Sequence, residues 1–423
     1  MVDSKTTVLH GWHEENGANM ALFGNYDMPL WYKTGAKAEH LAVIQSAGVF
    51  DTSHMAAVSV KGTGARAVLQ YCLSKDLDSC LGKGKPLVDG RCVYGIFLKE
   101  DGTVIDDAIV YQLQAESFMV VVNAAMGGEI AAHLSKNVGD GSVVIEDLTD
   151  RVGKMDIQGP QSGRILKKII KDPDSLFEKL IYFSFKGGFD DCVSSTTVEL
   201  KDGTPVLVSR TGYTGEFGFE LFVAIDKLLP LWKQLLAAGS DEGLLACGLA
   251  ARDSLRAGAV LPLSHQDVGA WPFLHNPWQF ALAWNEEGNA FTKPFIGSEV
   301  LVKKEWSKFT LPFAGFDPRK IAAGDSASVL SPEGETIGTI LTCTTDMAIG
   351  RVDGEIVSIA EAGTHPEGFH AKGLCCGFVM LDKKFNPGDQ VVLTDGKRKI
   401  KVEIRADVRP GRSARNPVGL MVD

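Results

Sequence analysis

At 423 residues the chain has room for nearly three domains of roughly 150 residues each. Its 43 Lys and Arg against 53 Asp and Glu leave a net charge of −10, which argues against nucleic-acid binding, since that needs basic surface to neutralise phosphates. With 45% apolar and 23% charged residues and no apolar run near the roughly 20 residues of a membrane span, the composition excludes membrane-spanning, disordered and secreted disulfide-scaffold classes.

The opening MVDSKTTVLHGWHEEN reads as neither a signal peptide nor an Arg-rich transit segment, so a cytoplasmic protein is expected. FGNYDMPLWY, residues 23–32, surrounds Met28 and Pro29 with aromatics, Tyr32 among them. Ala36–Ala47 reads as a helix with Leu41 and Ile44 inward and Gly48 as its cap. GVFDTSHM follows, ending at Met55. Val93–Phe97, Ile109–Leu113 and Phe118–Val122 read as strands separated by polar or Gly-containing turns. Leu228–Leu236 has helical spacing, with Gly239 just beyond it. From about Phe309 the texture becomes short β-type runs (SASVL, TIGTILT, GFVML, QVVLT and KIKVEI), which predicts an all-β terminal domain. One boundary therefore falls near residues 300–312, and residues 50–145 read as an insertion within a single domain. The basic stretch Lys397–Arg415 reads as a solvated strand face, with docking of an acidic partner or polyanionic tail as the alternative.

The eight cysteines, Cys192 among them, form no C-x-x-C pair and suit a reducing compartment, with Cys375 and Cys376 expected as buried small hydrophobes. Nine histidines supply no H-E-x-x-H and no ligand-spaced cluster, so no metal is expected. P-loop, dinucleotide-binding and nucleophile-elbow motifs are absent too. What remains is acidic and aromatic. In GTVIDDAIVY, residues 102–111, strand pleating sends Asp106 and Asp107 to opposite faces, and an inward carboxylate must find donors or a ligand. In SRTGYTGEFGFEL, residues 209–221, alternation sets Phe217, Phe219 and Leu221 on one side and Glu220 on the other, where it can accept hydrogen bonds from a planar heterocycle. ARDSLRAG places Arg252 and Arg256 on one helix face, either to clamp a carboxylate or to sit in water.

Taken in order, GANM with FGNYDMPLWY, EHLAV, AGVFDTSHM, GTVIDDAIVY, VVNAA, IQGPQS, SRTGYTGEFGFEL and GLAARDSLR resemble the aminomethyltransferase family. That family comprises the T-protein of the glycine cleavage system and tetrahydrofolate-dependent demethylase relatives. The resemblance runs from about Leu9 to Arg409. It implies an α+β fold of three domains in a ring, with mainly antiparallel sheets and a β-barrel or jelly-roll-like C-terminal domain. The division expected is a discontinuous folate-binding domain of residues 1–50 and 146–300, an inserted α+β domain of 51–145 carrying Asp107, and a β-rich domain of 301–423. Tetrahydrofolate is the implied cofactor, and Asp107 matches the family's essential aspartate. Met55, Tyr94, Tyr111, Asn123, Tyr213, Glu220 and Arg252 match its folate-side positions. The implied reaction moves a carbon from a lipoyl-bound aminomethyl group to tetrahydrofolate, with an H-protein-like partner, giving 5,10-methylenetetrahydrofolate and ammonia. The alternative is demethylation of a small sulfonium, ammonium or methoxy compound, and a further one is folate binding without catalysis.

Departures from the family pattern fall away from the folate side. Ser264 and His265 stand where the family has tyrosine and glycine, Gln279 replaces a glutamate, Ala281 a glycine, and Met126 a common asparagine. Extra residues lie around Arg351–His370. These changes make Tyr32, His265, Trp271 and Trp278 donor-side candidates; the two tryptophans could face a methylated cation by cation–π contact, with core packing as the preferred reading of those aromatics.

Overall fold

The computed structural model describes residues 4–139, 142–191, 193–303, 305–324, 326–361, 365–366 and 369–422. Two sheets frame its centre. A seven-stranded sheet has the order Val193–Ser194, Phe185–Asp190, Leu207–Ser209, Gly218–Ala224, Val152–Gln158, Ala47–Asp51 and Leu244–Cys247. Its strands are antiparallel except for the last pair, which is parallel. Period-two alternation gives this sheet two different faces. Met155, Ile157, Phe219, Leu221 and Val223 bury against helices Ser162–Ile169 and Leu228–Ala238 through Ile165, Leu166, Leu231 and Trp232. Each such side chain contributes about 1.5–3 kcal/mol on burial.

The second sheet is wholly antiparallel, in the order Arg91–Leu98, Val104–Gln114, Ser117–Val122, Ala56–Lys61 and Val144–Asp147. One face, with Val58, Val60, Phe118 and Val120, packs on helices Ala65–Cys72 and Gly127–Lys136. The other, with Ala57, Tyr111, Met119 and Val121, meets Phe185, Leu207 and Phe222 of the seven-stranded sheet. The polar face of the larger sheet is thereby closed off from water.

The expected β-rich tail is a closed six-stranded barrel of Phe309–Gly315, Leu374–Leu381, Thr336–Asp346, Ser328–Leu330, Gln390–Thr394 and Lys399–Ile404 around Phe313, Val329, Val379, Val391 and Val402. The α+β class, the mainly antiparallel sheets and the terminal barrel are as the sequence predicted. Helix Leu249–Gly258 joins the barrel to the sheets, since Arg256 donates to Thr342 Oγ1 at 3.0 Å. No helix of the described residues is long and apolar enough to cross a membrane.

Two local expectations change. The helix stops at Gln45, and Gly48 lies inside strand Ala47–Asp51, where a Cβ would meet Val43 and Cys247; close packing, not capping, requires the glycine. The basic run Lys397–Arg415 is not a uniform solvated face. Arg409 is fully buried in ion pairs with Glu216 and Asp346, while Arg398, Arg405 and Arg412 pair with Asp395, Glu403 and Asp407. Of the extra residues, Ile349–Val352 and Glu355–Ser358 form a hairpin, and 362–364 and 367–368 lie outside the described residues. Cys375 and Cys376 are buried as expected, and Cys192 is outside the described residues.

Candidate active site

Strand Val104–Gln114 carries the paired acids beside Asn123, one residue past the end of its neighbour Ser117–Val122. Freed from the ladder, Asn123 donates through Nδ2 to Asp106 Oδ1 at 2.7 Å and to Asp107 Oδ1 at 2.6 Å, and through its backbone N–H to Asp106 Oδ2 at 2.9 Å. A carboxamide nitrogen has two N–H bonds, one for each acid. The acids keep the alternation of the strand, whose Ala108 and Val110 enter one core and whose Ile109 and Tyr111 enter the other, and the Asn123 carboxamide at the neighbouring strand's end reaches both. Ser264 donates to Asp106 Oδ1 at 2.6 Å, and Tyr94 donates to Asp107 Oδ2 at 2.8 Å. Asp106 is fully buried; Asp107 is only half-buried.

Among the described residues, His265 is the one basic group within ion-pair distance of this pair, its Nε2 3.7 Å from Asp106 Oδ1. Burial pushes the Asp107 carboxyl up to about 7, with the Asp106 charge adding to the rise and Tyr94, Asn123 and His265 opposing it. Burial likewise raises Asp106 to about 6, against the donors Ser264 and Asn123. The two acids titrate as a pair. A carboxyl group poised near neutrality can hold or release a proton at physiological pH.

Next to the pair lies a cluster of opposite character. Lys154 and Asp156 alternate with Met155 and Ile157 on Val152–Gln158, so both charges point away from the helices and toward the second sheet. Lys154 Nζ donates to Asp156 Oδ1 at 2.7 Å, Glu220 Oε1 at 2.8 Å and Thr52 Oγ1 at 3.1 Å. Arg252 Nη1 reaches Asp156 Oδ2 at 2.7 Å, and its guanidinium lies 4.9 Å from the Tyr213 ring centre. Thr211 and Tyr111 donate to Glu220 Oε2. Two cations and two anions balance, as a dry site requires. Burial alone would raise Asp156, but Lys154 and Arg252 override it and hold the carboxyl at about 2. His54 is also buried; desolvation, aided by Arg252 and Lys154, pushes it down to about 4, and its Nδ1 has no partner among the described residues.

The structure thus gathers Asp107, Tyr94 and Asn123 at one point, and Glu220, Arg252, Tyr111 and Tyr213 at an adjoining one. Met55 is half-buried against the sheet-to-sheet core that contains Tyr111. Other expectations need correction. Tyr111 offers no open ring, because it is fully buried between Phe185 and Phe222 and acts through its hydroxyl. Arg252 and Arg256 do not sit in water; Arg256 is buried against Asp267. Trp278 takes the core-packing reading and not the cation–π one, since it packs edge-on to Phe378 and donates Nε1–H to the Val260 carbonyl at 2.9 Å. Tyr32 joins a separate buried chain, bonding His13 Nδ1 at 2.8 Å, with His13 Nε2 on Asp51 Oδ2 at 3.0 Å. Trp271 stays half-buried, its ring against Gly269. Sequence reasoning missed Lys154, Asp156 and the exposed Phe280, whose ring centre lies 5.9 Å from that of Tyr94. Charged residues at every second position of an otherwise apolar strand were the available signal for the first two. Among the described residues no cluster of three or more His, Cys, Asp or Glu is placed to hold a metal ion.

Comparison with known proteins agrees with the motif order. The model of the GCVT N-terminal domain matches residues 9–285. An aminomethyltransferase of Chlorobium limicola is 37% identical over 300 residues, covering 70% of this chain and 75% of the relative. One of Alkaliphilus oremlandii is 32% identical over 344 residues, 81% of this chain and 86% of the relative. The crystal structure of glycine cleavage system aminomethyltransferase T from Bartonella henselae superposes with a TM-score of 0.74 at 25% identity, over 97% of this chain and 98% of that one. With a family match across more than half its length and relatives above 30% identity, the chain belongs to the aminomethyltransferase (GCVT) family.

Proposed function

We propose that the protein is a tetrahydrofolate-dependent aminomethyltransferase that takes the carbon of a lipoyl-bound aminomethyl group and releases ammonia. The observation that carries this reading is Asp107: a half-buried carboxyl held near neutrality by burial and by Asp106, in a family of aminomethyltransferases. The residues present suit a folate. Half-buried Tyr94 and Tyr213 offer ring surface, and Glu220, with a single protein donor on Oε1, keeps acceptor capacity for amino and ring N–H groups. Among the described residues the guanidinium of Arg252 is engaged by protein through Nη1 alone, which leaves donors for a glutamyl carboxylate. His54 Nδ1 is an orphaned buried atom beside the same charges.

When bound, tetrahydrofolate supplies the nitrogens that accept the carbon. The chain's own part is electrostatic and protonic. Asp107 holds a negative charge where positive charge develops as ammonia departs, and it can take up one of the protons released from the acceptor nitrogens. Tyr94 and Asn123 fix its orientation from two sides. The reading further includes an H-protein-like carrier as partner, three domains divided as the motif order suggests, and a cytoplasmic location. The last is supported by the seven described cysteines, which are all free.

The test is Asp107→Asn, assayed with tetrahydrofolate and an aminomethyl-lipoyl carrier. Folding and folate binding are expected to survive while turnover falls by about 10²-fold or more. Near-wild-type formation of methylenetetrahydrofolate by this variant removes Asp107 from the chemistry.

A further inference from the structure

The turn after helix Leu249–Gly258 brings two side chains to the acid pair that the folate-side motifs do not include. Ser264 donates to Asp106 Oδ1, and His265 Nε2 stands 3.7 Å from the same oxygen. The His265 backbone has φ of 63°, in the left-handed region where glycine is at ease and a residue with a Cβ is disfavoured. Its side chain is 53% exposed, so hydrophobic packing does not account for its place there.

We propose that His265 is a positioning residue for the reaction, its imidazole favouring negative charge on the Asp106–Asp107 pair through the Asp106 carboxylate that Ser264 fixes. The inference rests on the reading of Asp107 as the acting carboxylate. It follows from what surrounds the pair. Strand Arg91–Leu98 presents Tyr94, and the segment before Gly218–Ala224 presents Tyr213; burial raises both phenols above their ordinary range, so both stay neutral. Further along the turn, Arg256 and Asp267 neutralise each other. Asn123 and Ser264 are uncharged donors. Among the described residues this leaves His265 as the basic side chain within reach of the pair. Two like charges in a dry site resist full ionisation, and a cation at this distance offsets that resistance, moderated by the water around a half-exposed ring. Without it the pair keeps its proton to higher pH.

The experiment is a carboxyl carbon NMR titration of the full chain with labelled aspartate and no folate, the Asp106→Asn and Asp107→Asn variants assigning the signals. His265→Gln is expected to move the midpoint of the pair up by about one pH unit. His265→Lys, which keeps a cation, restores it to the wild-type value or below. His265→Gly relieves the left-handed backbone, folds at least as stably, and titrates like the Gln variant. The acid limb of kcat/KM moves in parallel. Coincident midpoints in wild type and His265→Gln overturn the inference, as does a Lys variant that tracks with Gln. If the midpoints move as expected but no form of the protein transfers carbon to tetrahydrofolate, the functional reading fails while the charge coupling stands.

Discussion

The two acidic sites at the centre of the molecule are built from the same residue types and behave oppositely. Asp156 and Glu220 are almost wholly buried, yet each carboxylate faces a cation within 2.8 Å, and Asp156 is ionised down to about pH 2. Asp107 is more open than either, yet its nearest charge is another acid and its carboxyl rises to about 7. Burial raises both Asp107 and Asp156, and the sign of the neighbouring charge decides whether that rise stands. The neutralised cluster gives the sheets a rigid polar face. The uncompensated pair is where protons can move.

The largest effect is expected from unbalancing the cluster. Lys154→Met leaves Asp156 with Arg252 and strips Glu220 of its cation, and a loss of about 3–5 kcal/mol in equilibrium denaturant unfolding follows. A loss below about 1 kcal/mol would show that water enters the cluster and that the contrast with the pair is false. Next comes the pH dependence of stability. The folded pKa values of Asp106 and Asp107 lie above the unfolded ones, so their contribution is full below about pH 4 and is lost as pH rises through 6 and 7. Allowing for the partial exposure of Asp107, wild type should lose about 3 kcal/mol from this source between pH 4 and pH 8, most of it from buried Asp106. The Asp106→Asn, Asp107→Asn double variant should not show that loss. Asp156 has the reverse sign, its contribution present above the unfolded value and lost only as pH falls through about 2.

Much of this was legible from the residues. The motif run from FGNYDMPLWY to GLAARDSLR carried the family, and the short runs after Phe309 carried the barrel, because turn chemistry and period-two patterning are local. The charge balance of the site was not local. Lys154 looks like an outward residue on an alternating strand, and only the second sheet, arriving from residues 56–147, turns that face into an interior. That Asp106 and Asp107 share a donor was hidden for a similar reason, since Asn123 is brought to them by pairing with a neighbouring strand. Trp278 sits in a segment with few strand or helix signals, and its burial depends on Phe378 from the distant barrel. Contacts across long sequence separations were what the one-dimensional reading lacked.

The smallest expected effect separates the two sites most cleanly, because each has one tyrosine hydroxyl on one carboxylate. Tyr94 donates to Asp107 at 2.8 Å, and Tyr111 donates to Glu220 at 3.2 Å. Glu220 keeps Lys154 and Thr211 when Tyr111→Phe removes a hydroxyl, so the pH profile of turnover keeps its midpoint. Asp107 has no cation in hydrogen-bond contact to fall back on, since His265 stands 3.7 Å from Asp106. Tyr94→Phe removes one of the donors that stabilise its charged form, and the acid limb of kcat/KM moves to higher pH by about one unit. At neutral pH that is a loss of roughly tenfold or less, recovered in alkaline buffer as the remaining carboxyl ionises. If Tyr94 served only as a ring surface for the ligand, the loss would be the same at every pH and the midpoint would stay where it is. A shift in the Tyr111 variant as large as in the Tyr94 variant would mean that the two acidic sites titrate as one.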